Sequence, residues 1–260
     1  MKAHQRKIRE TAPPEPDEDI KRALAQDFSH ASVREIPYAL AKPLVMQHEW
    51  LHSMGSARWC WGLFFGEHLG GVEGFGSTVG THTFESIAGI ENAPLVCTLV
   101  RGCCLPWTPT NSASYLIRRA CQGMAKYNKH LFVAYATEEA GEIGSIYSGL
   151  NWIYTGRTNP AQVFSLNGTI YDSKQVSNMA RDFRNRKGEP TKFVRSRAEQ
   201  KKLLLERGAM FHPGFSKHRF VGIYGLPEME RRLRKALKLP SLPYPKRDDA
   251  LVFETASSEM

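Results

Sequence analysis

The stretch HLFVAYATEEAGEIGSIYSGLNWIYTG (residues 130–156) decides how this chain is read. Residues 131–136 form an uninterrupted apolar run bounded by polar residues, which predicts a strand buried on both faces. Gly141 and Gly144 then mark a turn, and residues 145–149 make a short helix carrying Tyr147. Asn151-Trp152 opens a second strand that closes on Gly156. Tyr147 on that helix is a candidate for a chemical role. A half-buried helix tyrosine is the structural alternative.

Working upstream, residues 95–101 predict a strand, followed by GCCLPWTPTNSASYLIRRACQGMAKY, a loop feeding a helix. Asn111 or Ser112 is the natural N-cap, with apolar residues recurring at Tyr115, Leu116, Ala120 and Met124. The free N–H groups and dipole of such a helix start suit a pyrophosphate, although an ordinary capped helix shows the same pattern. Earlier segments predict a strand at 32–36, a helix from 38 to about 54, and a hairpin of 58–65 with 69–76. A loop of about fifteen residues leads from there to the strand at 95. Downstream lie a short strand at 163–166, a turn at Asn167-Gly168, one clear strand HRFVGIYG (218–225) and an extended Pro-rich LPSLPYPKRDD. The expected organisation is a leader (1–28), a core (29–171), a basic extension packed on it (172–247) and a tail (248–260).

The leader's Pro, Glu and Asp content predicts flexibility, and it has no apolar core of a secretory signal. The apolar run 59–65 is far too short to cross a bilayer. Five cysteines form an odd set without CxxC spacing, which fits a reducing cytoplasm and argues against a disulfide framework or zinc ribbon. The formal net charge is +9, and it is uneven. Residues 174–238 hold 18 Lys or Arg against 6 Asp or Glu, an excess of 12. Such an excess suits a polyanion; a solvated basic helix face is the plainer explanation. Lys174, Arg181, Arg184, Arg186, Lys217, His218 and Arg219 are the nucleic-acid-binding candidates, with Phe193, Phe215 and Phe220 as either stacking or core residues.

YATEEAGEIGSIYSGLNWIYTG resembles the YAD…GHxGxIYxAxNWxYxG signature of the phage Mom family of DNA-modification proteins, a divergent branch of the GNAT acyltransferases. Residues 41–54 (AKPLVMQHEWLHSM) are similar to that family's early helix, which ends in an HHYLH-like stretch. KHRFVGIYG (217–225) and LRKALKLPSLPYPK (233–246) resemble its KHRYVYFL…LPYPK ending, so the resemblance spans residues 32–246.

The resemblance implies an α/β fold: a twisted, mostly antiparallel sheet splayed between two central parallel strands (95–101 and 131–136), with helices on both faces. It implies acetyl-CoA as cofactor, double-stranded DNA as partner, and a carbamoylmethyl-type modification of adenine N6 that protects phage DNA from restriction. Arg101, Gly102, Thr110, Asn111, Ser112, Ser114 and Asn151 are then the cofactor-binding candidates; Tyr147, Tyr135, Glu138, His48 and Glu49 are the catalytic ones. The family's YAD aspartate falls at Thr137, its GH histidine at Glu142, and its His-Tyr pair at Glu49-Trp50. His48 and His52, at i and i+4 on the expected helix, raise iron as an option, but no third ligand is identifiable. Two other functions stay open: an N-acetyltransferase for a small amine or a protein, and an inactive DNA-binding protein on the same scaffold.

Overall fold

The computed structural model describes residues 4–77, 82–160, 162–171, 197–214 and 216–246. The chain divides into two compact units, Met1–Arg157 with His218–Met260, and Thr158–Lys217.

In the first unit a seven-stranded sheet has the order β1-β2-β3-β4-β5-β10-β6. Its strands are β1 Ala31–Ile36, β2 Ala57–Phe65, β3 His68–Gly76, β4 Val96–Cys104, β5 Leu131–Thr137, β6 Ile153–Arg157 and β10 Lys217–Ile223. β4 and β5 pair in parallel, while the pairings β1–β2, β2–β3, β3–β4 and β10–β6 are antiparallel. This is the mixed sheet expected of a GNAT-like chain.

Period-two alternation divides the side chains of β2 between two cores. Trp61, Leu63 and Phe65 pack with Leu116, Ile117, Ala120 and Cys121 of helix α5 (Ser112–Gly123). Cys60 and Phe64 pack on the other face with Ala41 and Val45 of α3 (Tyr38–His48). A third cluster joins Val96, Leu131, Val133 and Val221 to Ile87 and Ala88 of α4 (Thr83–Ala88). Helices therefore cover both faces, and each buried Leu, Ile or Phe contributes roughly 1.5–3 kcal/mol relative to exposure.

Four local expectations are corrected. Helix α3 stops at His48 instead of running to 54, because Glu49 is extended and its own carboxylate accepts the Leu51 N–H at 2.8 Å. His52 lies beyond that break with φ +46°, so His48 and His52 do not share a helix face. The segment before β4 is not a plain loop: it holds α4, closed by Gly89 at φ +78°, and a 3-10 turn Ile90–Leu95. Asn111 occupies the N-cap position of α5 but in left-handed conformation and without a side-chain cap bond; Ser112 Oγ donates to the Pro109 carbonyl at 2.8 Å.

The region read as a flexible leader contains helices α1 (His4–Thr11) and α2 (Glu18–Leu24), and both are tied down. Gln5 Nε2 donates to the His48 carbonyl at 2.6 Å and its Oε1 accepts the Trp50 N–H at 3.1 Å. Arg9 Nη2 donates to the Thr108 carbonyl at 2.7 Å, and Trp107 Nε1 donates to Glu15 Oε2 at 3.2 Å.

The second unit is a three-stranded antiparallel sheet, β8-β7-β9, built from β7 Gln162–Leu166, β8 Thr169–Tyr171 and β9 Met210–Pro213. Asn167 (φ +50°) and Gly168 (φ +77°) supply the two left-handed residues that a tight hairpin between β7 and β8 requires. Phe164, Leu204 and Ala209 form its small core, with Leu204 on the helix Arg197–Glu206.

Candidate active site

β4 and β5 share three rungs only: Val96 with Leu131, Cys97 with Phe132, and Thr98 with Val133. Beyond them β4 continues to Cys104 and β5 to Thr137 without pairing with each other, so a gap opens between them in the middle of the sheet. A register shift against Gly74 and Phe75 leaves Val100 as an extra residue in β4. Arg101 takes up the Val100 carbonyl through Nη1 at 2.6 Å. On the strands flanking the gap, the hydroxyls of Thr98 and Thr137 are buried and find no hydrogen-bond partner among the described residues. Orphaned buried groups of this kind favour a polar ligand that reaches them.

Carboxyl groups collect around this opening. Glu73 on β3 is 5% exposed, and no hydrogen bond among the described residues engages its carboxyl. Burial, reinforced by the negative charge of Glu49, pushes Glu73 well above the usual carboxylate range. Glu49 is itself buried and raised, despite the Leu51 N–H and Arg101, whose Nε lies 3.7 Å from Glu49 Oε2. Glu142 is pushed up to about 7 by burial and then by Glu49, with the Thr137 backbone pulling the other way. Thus Glu49 acts on Glu142, and both are positions where the family pattern is altered.

Tyr147 sits on the short helix α6 (Ser145–Gly149), its ring 5.3 Å from those of both Trp152 and Phe220. Glycines permit this stack: a Cβ on Gly222 would meet Trp152 at 2.3 Å, and one on Gly144 would meet Phe220 at 2.2 Å. Burial, then Glu73, Glu142 and Cys121, hold the Tyr147 phenol well above its ordinary value. No hydrogen bond among the described residues engages its hydroxyl. The site thus pairs a carboxyl that exchanges its proton near neutrality with a phenol that keeps it.

The other sequence-derived candidates distribute unevenly. Arg101 is bound to the corner after α3, donating from Nε to the Ser53 carbonyl at 2.9 Å. Gly102 lies opposite Glu73 in the β3–β4 register, where a Cβ would meet Glu73 Oε2 at 2.3 Å. Thr110 and Asn111 are exposed ahead of α5, Ser112 is buried and Ser114 half-buried. Asn151 is exposed with φ +58°. His48 is buried, and that burial lowers its pKa.

Tyr135 packs with the α4-side cluster, on the face of the sheet away from Tyr147, and burial raises it. Glu138 belongs to a separate group: its Oε1 lies 2.9 Å from Arg157 Nε and 3.4 Å from His218 Nε2, without an aligned hydrogen bond. Arg219 Nε donates to Thr155 Oγ1 at 2.9 Å. Lys217 begins β10. Lys174, Arg181, Arg184, Arg186, Phe193 and Phe215 lie outside the described residues; Phe220 is fully buried and belongs to the core. Among the described residues no group of three or more His, Cys, Asp or Glu side chains could hold a metal, which leaves iron without a binding group there. No described helix is long and apolar enough to cross a membrane.

Sequence reasoning missed Glu73 and treated Glu142 only as a departure. A single carboxylate inside the glycine-rich run HLGGVEGFG was the available signal.

A search of curated proteins found no match. Among solved structures, a putative acetyltransferase (yncA) from Salmonella typhimurium with acetyl-CoA aligns at TM-score 0.42 and 8% identity, covering 76% of this chain and 96% of that one. The Drosophila melanogaster polyamine N-acetyltransferase aligns at TM-score 0.40 and 9% identity, covering 75% and 100%. A Bacillus subtilis acetyltransferase in complex with CoA gives 0.39 and 9%, covering 75% and 99%. The family model is decisive: it matches residues 30–246, and the chain belongs to the Mom protein family.

Proposed function

We propose that this chain is an acyl-CoA-dependent transferase that modifies adenine N6 in double-stranded DNA. The reaction is carbamoylmethylation-like, takes place in the host cytoplasm and protects the DNA from restriction. The observation that carries the transferase reading is a buried phenol, Tyr147, within the electrostatic reach of Glu142, in a sheet whose β4 and β5 pair over three rungs only. Family membership supports adenine in DNA as the acceptor. The basic excess of residues 174–238 supports a polyanionic substrate.

Bound acetyl-CoA supplies an activated two-carbon unit as a thioester. The orphaned hydroxyls of Thr98 and Thr137 fit its amide-bearing arm, and the loop ahead of α5, with Asn111 and Ser112, suits its pyrophosphate. Glu142 as carboxylate would accept a proton from the acceptor nitrogen, and Tyr147 Oη would protonate the thiolate released when the thioester is cleaved; joining the unit through carbon, as a carbamoylmethyl adduct requires, takes in addition a nitrogen donor and a two-electron oxidant. A pKa of about 7 suits the first task, and a raised phenol suits the second. Adenine N6 is enclosed in a duplex, so the base must leave the stack to reach these groups.

The test is mass spectrometry of nucleosides from the DNA of cells expressing the protein. A modified deoxyadenosine is expected, and unmodified DNA with well-expressed protein overturns the reading. One observation favours a second reading: Glu73 and Glu142, the carboxyl groups that act on Tyr147, complement a cationic amine. CoA release with a polyamine, together with unmodified DNA, would select it.

A further inference from the structure

The helix Pro227–Ala236 (PEMERRLRKA) is fixed to the core along one side and carries cations on the other. Leu233 is fully buried, and Leu237, just past the helix end, packs on the cluster of Ile87, Ala88, Leu131 and Val221. The Lys238 N–H completes the attachment by donating to the Ile87 carbonyl at 2.8 Å. With about 3.6 residues per turn, Arg231 and Lys235 stand opposite Leu233, and Arg232 and Arg234 flank them. All four are exposed, as is Lys238 beyond the helix.

Surface helices commonly neutralise such cations with acids three or four residues away. Acids do stand at that spacing here, Glu228 ahead of Arg231 and Arg232, and Glu230 ahead of Arg234, yet no ion pair forms between them. Glu230 Oε1 instead accepts the Gly225 N–H at 3.1 Å. Arg231 Nε reaches only the Pro227 carbonyl, at 3.4 Å. The side chains of Arg232, Arg234, Lys235 and Lys238 form no hydrogen bond or ion pair among the described residues. The helix dipole accounts for Arg234 and Lys235 in the last turn, but not for Arg231 and Arg232 before it.

A basic amphipathic helix suits an anionic lipid surface only when its apolar side is free to enter the bilayer. Here that side is occupied, because Leu233 and Leu237 are packed against the core. What faces outward is a rigidly held row of guanidinium and ammonium groups, with Arg231 and Lys235 about 6 Å apart along the axis. Groups of this kind contact nucleic-acid backbones through their phosphate oxygens.

We propose that this outward face is a docking surface for the phosphate backbone of duplex DNA, an inference that rests on the DNA-modifying function proposed above. It puts part of the grip on DNA in the same compact unit as Tyr147 and Glu142. The test measures duplex DNA affinity across a salt series for the wild type and four double variants. Arg231→Gln with Lys235→Gln removes the two outermost charges, and Arg231→Lys with Lys235→Arg keeps them. Arg232→Gln with Arg234→Gln repeats the removal on the flanks, so that misfolding of one pair leaves the other to decide. Lys7→Gln with Lys42→Gln removes two exposed lysines from α1 and α3 as the charge control. Denaturant unfolding checks that each variant folds.

Losing two phosphate contacts lowers the slope of log K against log salt by about 1.8, equally for all DNA sequences, while the charge-keeping pair and the charge control match the wild type. An unchanged slope in the folded charge-removing pairs, with wild type binding DNA, overturns the surface and leaves the proposed function standing. An equal fall in the charge control assigns the effect to overall charge and likewise overturns the surface. A lowered slope confined to the helix variants, with unmodified cellular DNA, upholds the surface and removes the function. Absence of salt-dependent DNA binding by the wild type overturns both. Binding of polyglutamate that the charge-removing pairs abolish, with their DNA slope unchanged, assigns the face to an acidic protein and overturns the proposal too.

Discussion

Glu73 Oε2 occupies the space in which any side chain on Gly102 would begin, 2.3 Å from the ideal Cβ position. β3 and β4 place the two residues opposite each other, so the carboxyl has its seat only because β4 carries glycine there. Gly102→Ala should therefore destabilise the fold by about 1–3 kcal/mol through overpacking. Glu73→Ala in the same chain should recover part of that loss, a coupling that denaturant unfolding of the single and double variants measures.

Glu142 has an ordinary value of 4.5 and is raised to about 7 in the folded chain, so the folded state holds its proton more tightly than the unfolded state does. Its contribution to stability is full below pH 4.5, declines as pH rises through about 7, and is then spent. Glu142→Gln should flatten that decline, by roughly 1–3 kcal/mol between pH 5 and 8, in unfolding curves at the two pH values. The same substitution should abolish the rise in transfer rate through pH 7 that ionisation of a base at this position produces.

Tyr147→Phe keeps the ring between Trp152 and Phe220 and breaks no hydrogen bond among the described residues. Thermal stability should stay within a degree or so, while kcat should fall about 100-fold or more with little change in KM for the acyl donor. Equal loss in both parameters would point to a binding role for the phenol.

All five cysteines are buried free thiols. Burial pushes Cys60 and Cys97 up to about 11 and Cys104 up to about 12, and carries Cys103 and Cys121 well above the thiol range. Thiolate is the reactive form, so native protein should resist alkylation at neutral pH. Intact-mass measurement should find five adducts after unfolding in denaturant and essentially none before it.

The strand, turn, short helix and strand at 130–156 were legible because burial on two faces and glycine punctuation are local signals. The hairpin of β2 and β3 was legible for the same reason. Glu73 was not, since a carboxylate among glycines reads as a solvent-facing hairpin residue until β4 is known to cover the other edge of β3. Glu49 and Glu142 looked like two separate losses of family residues. The influence of Glu49 on Glu142 depends on tertiary placement of the corner after α3, which no spacing encodes. The end of α3 was misjudged because a side chain, Glu49, competes for a backbone N–H that helical periodicity assigns to the helix.

The family match starts at residue 30, yet the folded unit draws on residues well before it. Ala25 is 4% exposed within the main core, and Gln5, Arg9 and Glu15 occupy partners at His48, Trp50, Thr108 and Trp107. A chain cut at the family boundary would leave those four groups to water, two of them at the corner that ends in Glu49. The recognisable length of this protein and its cooperative length are therefore different quantities, and expression of the shorter one should yield a protein with a loosened site.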